Sequence, residues 1–196
     1  MILHDAVDNL REVAAGMGTE DGDLIFQSLP ENEVCRFCRG ACMGAEFGGR
    51  VAEVAAAVPF SARMRLEDMY GAALKSPKTR GAALGALNAA AGFLMLTRKT
   101  GACNSVYHED CLAELQEFCR GRCVYVIGGD IPGVLQALVL EEADLVVVFG
   151  DAFFADAGIC EAEEAIDSGK EVVFLGQNCH GLGALLHVPV WCPYGK

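Results

Sequence analysis

The chain has 196 residues, 53% hydrophobic and 21% charged, which is enough apolar material for one large or two small packed domains and too much for a disordered chain. Fifteen Lys and Arg stand against 27 Asp and Glu, a formal net charge of -12, and a surface of that sign repels phosphate backbones and anionic lipid. Nucleic acid and membrane are therefore not expected as partners, and a small-molecule or metal ligand is.

The first residues, Met-Ile-Leu-His-Asp-Ala-Val-Asp, lack the basic-then-apolar order of a secretory signal. Asp5 and Asp8 also speak against a mitochondrial presequence, so a cytoplasmic location is expected. Val7, Leu10, Val13, Ala14 and Met17 recur at helical spacing and predict an amphipathic helix over residues 3–17, with Gly18 as its left-handed cap. Residues 33–47 and 50–58 flank Gly48-Gly49 and predict a β-hairpin. A short helix is expected over 66–74. Ser76-Pro77 then supplies an N-cap and a proline at the first helical position, so a long helix should run from Pro77 to about Arg98 and stop before Gly101.

After Gly101 the pattern changes. Residues 108–119 read as a helix, and three compact apolar runs follow at 123–127, 145–149 and 171–175, each ending on glycine, with a fourth at 188–191. Helical stretches at 131–142 and 155–168 would alternate with them as right-handed crossovers between buried parallel strands. The fold class expected is α/β: a small α+β amino-terminal domain of helix, β-hairpin and helices (1–102), then a short parallel-sheet, Rossmann-like domain (103–196).

Ligands of open parallel sheets usually bind at the carboxyl ends of the strands. The loops there are Gly128-Gly-Asp-Ile-Pro-Gly133, Gly150-Asp-Ala-Phe-Phe-Ala-Asp156 and Gly176-Gln-Asn-Cys-His-Gly181, whose glycines would let a ligand approach the backbone. They bring Asp130, Asp151, Gln177, Asn178, Cys179 and His180 to that edge. Glycine and aspartate are also ordinary turn and cap residues, so both roles stay open for Asp130 and Asp151. Cys179 and His180 offer a soft thiolate and an imidazole, able to hold a metal or move a proton. Asp151 falls 23 positions after Gly128, near where a ribose-binding acid would lie, but Gly128, Gly129 and Gly133 do not make the G-x-G-x-x-G pattern. On the 108–119 helix, His108 and Cys111 have ligand-like spacing, but a Cys and Leu stripe there reads better as core.

Ten cysteines, at 35, 38, 42, 103, 111, 119, 123, 160, 179 and 192, are expected to be reduced. In Cys35-Arg-Phe-Cys-Arg-Gly-Ala-Cys42 strand alternation sets Cys38 and Cys42 on one face and Cys35 on the other, unless Gly40 allows a bulge. A two-thiol wall of Cys38 and Cys42 is the resulting expectation.

The order of elements, with the small-residue run from Arg80 to Ala89 and the strands Glu142-Ala-Asp-Leu-Val-Val-Val-Phe-Gly150 and Glu171-Val-Val-Phe-Leu-Gly176, resembles the heavy-metal-chelation family of mostly uncharacterised prokaryotic proteins. The resemblance covers nearly the whole chain. It implies an enolase amino-terminal-like α+β piece joined to a Rossmann-like domain, with a ligand site between them. Gln-Asn-Cys-His after Gly176 replaces the small hydroxyl and proline residues of the family, and the cysteine-rich hairpin is particular to this chain.

The combined expectation is a transition metal ion or small metal-containing ligand in the crevice between the halves. Asp130, Asp151 and Asn178 would contact the ligand, Cys179, His180, Cys38 and Cys42 would hold the metal, and His180 would be the proton-transfer group if any reaction occurs. The alternatives are an enzyme with a nucleotide-like cofactor at the same loops, and a noncatalytic structural or regulatory dimer; a homodimer is expected only as the commonest oligomer.

Overall fold

The computed structural model describes residues 1–196. No helix is long and apolar enough to cross a membrane. Helix α1 (Ile2–Ala14) buries Ile2, Leu3, Ala6, Val7, Leu10 and Ala14; of the expected stripe Val7, Leu10 and Ala14 are buried, whereas Val13 and Met17 are exposed. It stops at Ala14 rather than Met17, because Ala15 turns to an extended conformation.

Strands β1 (Asp23–Ser28), β2 (Ala41–Phe47), β3 (Arg50–Ala56) and β4 (Ala62–Arg65) form an antiparallel sheet in the order β3-β2-β1-β4. Phe47 pairs with Arg50 across Gly48-Gly49, whose φ of +56° and +80° suit a two-residue hairpin turn that residues with a Cβ enter at a cost. The hairpin is present, but its first arm begins at Ala41, and residues 33–40 form no strand. The helix expected over 66–74 shrinks to a 3-10 turn at Leu66–Met69.

Helix α2 (Pro77–Phe93) starts where predicted, with Ser76 and Thr79 exchanging side-chain to backbone bonds of 3.2 and 3.1 Å. It is buried on nearly all sides, and its small residues allow the close approach: a Cβ on Gly85 would stand 3.1 Å from that of Ala45. The helix closes earlier than expected. The Leu96 N–H donates to Ala91 O at 2.9 Å and the Met95 N–H to Gly92 O at 3.2 Å, with Met95 left-handed at φ +60°. This double closure usually employs glycine, which is why the sequence pointed onward to Gly101.

Helix α3 (His108–Phe118) leads into β5 (Val124–Ile127), β6 (Leu145–Phe149), β7 (Val172–Leu175) and β8 (Val190–Trp191), a parallel sheet in the order β5-β6-β7-β8. All four strands fall where the apolar runs placed them. Helix α4 (Asp156–Asp167) joins β6 to β7, and α5 (His180–Leu186) joins β7 to β8. The helix expected over 131–142 is absent. Its backbone bonds go to β5 instead, Val124 N–H to Leu135 O and Ala137 N–H to Val124 O, both at 2.9 Å, leaving Leu135 and Leu138 exposed.

Alternation along the parallel strands divides the core. Val146, Val148, Val172 and Phe174 pack with Ile159 and Ala162 of α4, Leu182 and Leu185 of α5, and α2, in an apolar cluster that continues through the antiparallel half to α1. Leu145, Val147, Phe149, Val173 and Leu175 face the other way, onto Cys111 and Leu115 of α3, onto Cys119 at its C-cap and onto Cys35, Phe37 and Cys38. The cysteine stripe of α3 is thus packing surface, as expected of a small apolar side chain. Because the strand order is sequential, the sheet has no reversal to open a crevice between neighbouring loops.

Candidate functional site

The segment Cys35-Arg-Phe-Cys38 closes a turn, with the Cys38 N–H donating to Cys35 O at 2.9 Å. Two backbone N–H groups, of Cys35 and of the following Arg39, tie it to the carboxyl edge of the parallel sheet. The Cys35 N–H donates to Gln177 Oε1 at 2.5 Å, and the Arg39 N–H reaches Asp151 Oδ2 and Oδ1 at 3.0 and 3.2 Å. The two thiols both lie above Gly176. A Cβ on that glycine would lie 3.1 Å from Cys38 Sγ and 3.6 Å from Cys35 Sγ, and its φ is +94°.

The electrostatics of the pair are uneven. The neighbouring Cys38 thiol is the main cause that lowers the Cys35 thiol, against burial and with help from backbone N–H groups and the Arg36 charge. The Cys35 thiol and then burial push Cys38 upward. Cys103, Cys111, Cys179 and Cys192 lie close enough to feel the Cys35 charge, and burial first of all raises each of them, Cys111 and Cys192 to about 12. Of this group, Cys35 is the thiol whose surroundings lower it, while the others are raised.

The parity that joined Cys38 to Cys42 does not apply, because residues 35–38 are not a strand. Cys38 is paired with Cys35, and Cys42 is fully buried inside β2 opposite Ala55. Burial raises its thiol to about 11.

The carboxyl edge of the sheet splits into two environments. Asp130 and Asp151 border a cleft of about 220 Å³ that is also lined by Arg36, Phe37 and Arg39 of the turn. Asp130 is exposed and accepts a bond from Gln136 Nε2 at 2.7 Å. Asp151 is raised by burial, with the Arg39 N–H and charge opposing.

The segment 176–181 is no open loop. It is a 3-10 turn, Gln177–Cys179, running into α5, so Gln177, Asn178, Cys179 and His180 are all buried. Asn178 Oδ1 accepts from the Ala55 N–H at 2.7 Å and its Nδ2 donates to Ala55 O at 2.9 Å. Gln177 Nε2 donates to Glu53 O at 3.3 Å, and the Glu53 N–H donates to Thr100 O at 2.7 Å. The outer edge of β3 is thereby closed by two side-chain amides and a loop. Asn88 completes the seam, donating to Gln177 O at 2.9 Å and accepting from the Gly181 N–H at 2.6 Å.

Cys179 is fully buried, with its thiol 3.5 Å from Leu175 O. His180 is 4% exposed, and burial and then the Lys99 charge bring its imidazole down to about 4. Its Nε2 has no hydrogen-bond partner. The ring borders a groove of about 540 Å³ with Lys99 and His187, separate in its lining from the Asp130 and Asp151 cleft. Of the expected site residues, the structure brings Cys38, Asp130 and Asp151 to the 35–38 turn, and turns Asn178 to holding the two sheets together. Sequence reasoning missed Cys35 as the partner of Cys38, and the structural weight of Gln177 and Asn88. The C-x-x-C spacing and a lone amide in an alanine-rich helix were the available signals.

No group of three or more His, Cys, Asp and Glu side chains is placed to hold one metal ion. The chain matches no model of a known protein family, no curated protein and no solved structure.

Proposed function

We propose that the chain binds a thiophilic metal ion, or a small ligand containing one, through Cys35 and Cys38 at the seam between its two sheets. The observation that carries this is the pair itself: two thiols on one turn, their sulfurs 3.1 and 3.6 Å from where a Cβ on Gly176 would stand. The donor set limits the ion. Two sulfurs without a third convergent side chain do not suit zinc in a four-ligand site, and they do suit a soft ion of low coordination number or one that arrives with ligands of its own. Metals take the thiolate, and Cys35 is the sulfur of the pair whose surroundings favour that form. The resemblance to the heavy-metal-chelation family belongs to the same reading, with the antiparallel half as its enolase amino-terminal-like piece.

The test is anaerobic titration of fully reduced, metal-free protein with Cu(I), followed by thiolate-to-metal absorbance and by metal analysis after gel filtration. Stoichiometric uptake is expected, lost in Cys38→Ser and kept in Cys42→Ser and in His180→Leu. No uptake by the wild-type chain, or uptake that survives Cys38→Ser, removes the proposal.

A further inference from the structure

We propose that Cys35 and Cys38 are also a modification site: a hydroperoxide converts the pair into an intramolecular disulfide. The proposal shares two residues with the metal reading but not its premise, since it concerns the metal-free chain. Three observations carry it. The bond from the Cys38 N–H to Cys35 O at 2.9 Å makes residues 35–38 a β-turn, whose end Cα atoms lie within about 7 Å of each other, close to or inside the span a disulfide bridges. Both sulfurs converge on one point above Gly176, 3.1 and 3.6 Å from where a Cβ would stand, so no side chain of that residue separates them. The turn is also irregular backbone beside a cleft of about 220 Å³ lined by Arg36, Phe37 and Arg39, so it can adjust without breaking a helix or a strand.

The chemistry balances with the oxidant named. One sulfur of the pair, as thiolate, attacks an oxygen of the hydroperoxide; the O–O bond breaks, the departing hydroxide or alkoxide takes a proton from solvent to become water or an alcohol, and the sulfur becomes a sulfenic acid. The neighbouring thiol attacks that sulfur, the S–O bond breaks, and the departing hydroxide takes the thiol proton as water. Two electrons have passed from the two sulfurs to the peroxide, and exchange with a dithiol reductant restores both thiols. Cys160 is the natural control, being the exposed thiol among the ten. If exposure governed oxidation, it would react first.

The experiment treats reduced, metal-free, full-length protein with hydrogen peroxide, blocks the remaining thiols, digests with trypsin and maps the peptides by mass. Trypsin cuts after Arg36 and Arg39, so a bridge would join peptide 12–36 to peptide 37–39 with the loss of two hydrogens. That joined species is expected in most chains, undiminished in Cys160→Ser and reversed by dithiothreitol. In Cys38→Ser it should be absent, with Cys35 trapped as a sulfenic acid by a dimedone probe. The proposal is overturned if peptides 12–36 and 37–39 stay separate and thiol-labelled while Cys160 gains oxygen, or if Cys35 is found bridged to another cysteine. The wild-type map decides this whether or not the variant folds. A bridge without Cu(I) uptake by reduced protein would retire the metal reading alone, and uptake without a bridge would retire this one alone.

Discussion

Two neighbouring strands of one sheet, β6 and β7, end alike in sequence and differently in space. Each terminates on glycine followed by a polar residue, Gly150-Asp151 and Gly176-Gln177-Asn178. Beyond β6 the Asp151 side chain keeps 13% of its surface and borders a cleft, whereas beyond β7 both amides are sealed. The difference follows from what lies opposite. β3 is the edge strand of the antiparallel sheet, and its outward N–H and C=O groups need partners once buried. An amide carries both a donor and an acceptor, so Asn178 can answer Ala55 as another strand would. A carboxylate only accepts, so Asp151 can satisfy the Arg39 N–H and nothing more demanding. Polar residues at strand ends thus became staple or cleft wall according to the backbone they face.

The sharpest way to break this contrast is Asn178→Leu, which leaves a buried N–H and C=O of Ala55 without partners. At the usual cost of orphaned groups the loss should be roughly 2–6 kcal/mol, read as a shifted urea midpoint. Asn178→Asp should also destabilise, since it sets an acceptor against Ala55 O. A loss below about 1 kcal/mol would mean that Asn178 does not hold the seam.

His180, in the same sealed segment, makes a prediction in pH. Its native value of about 4 lies below the ordinary 6.5, so the unfolded chain binds the extra proton first. Its contribution is whole above the unfolded value and is lost as pH falls from about 6.5 to about 4, up to roughly 3 kcal/mol at the lower end. His180→Leu should flatten that part of the stability curve relative to wild type, whose remaining acid dependence comes from carboxylates. Parallel curves for the two proteins would place the imidazole in water.

The same contrast marks how far the sequence could be read. The four parallel strands were legible because valine-rich runs ending on glycine have few other uses, and α1 and α2 because caps and apolar spacing agree there. β1 and β4 were not, being short and partly exposed, and the 131–142 segment imitates a helix in composition while its backbone pairs with β5. At the site, the sequence named the residue types at the carboxyl edge but could not tell a ligand from a staple, because that depends on β3 arriving from over a hundred residues away. Cys35 was misplaced by assuming that the hairpin arm began at Glu33.

Gly176 is where the staple meets the thiol pair, so Gly176→Ala probes both. Alanine at φ +94° is strained, and its Cβ would press on Cys38 Sγ at 3.1 Å. A destabilisation of about 1–3 kcal/mol is expected, together with a displaced thiolate titration of Cys35, followed by absorbance against Cys35→Ser. An unaltered titration would mean that the two sulfurs do not share the space above this glycine.

The smallest effect belongs to the open side. Asp130 is exposed and its side-chain bond is to Gln136, so Asp130→Ala should change stability by no more than about 0.5 kcal/mol. Cu(I) uptake should also be unchanged, because the sulfurs of the pair face Gly176 while Asp130 lies across the cleft from the turn. The value of so small a change is that it separates the two ends of the sheet edge: a cleft wall yields to substitution where a staple does not. If Asp130→Ala instead costs as much as Asn178→Leu, the β5 loop is a second staple and the contrast between open and sealed strand ends collapses.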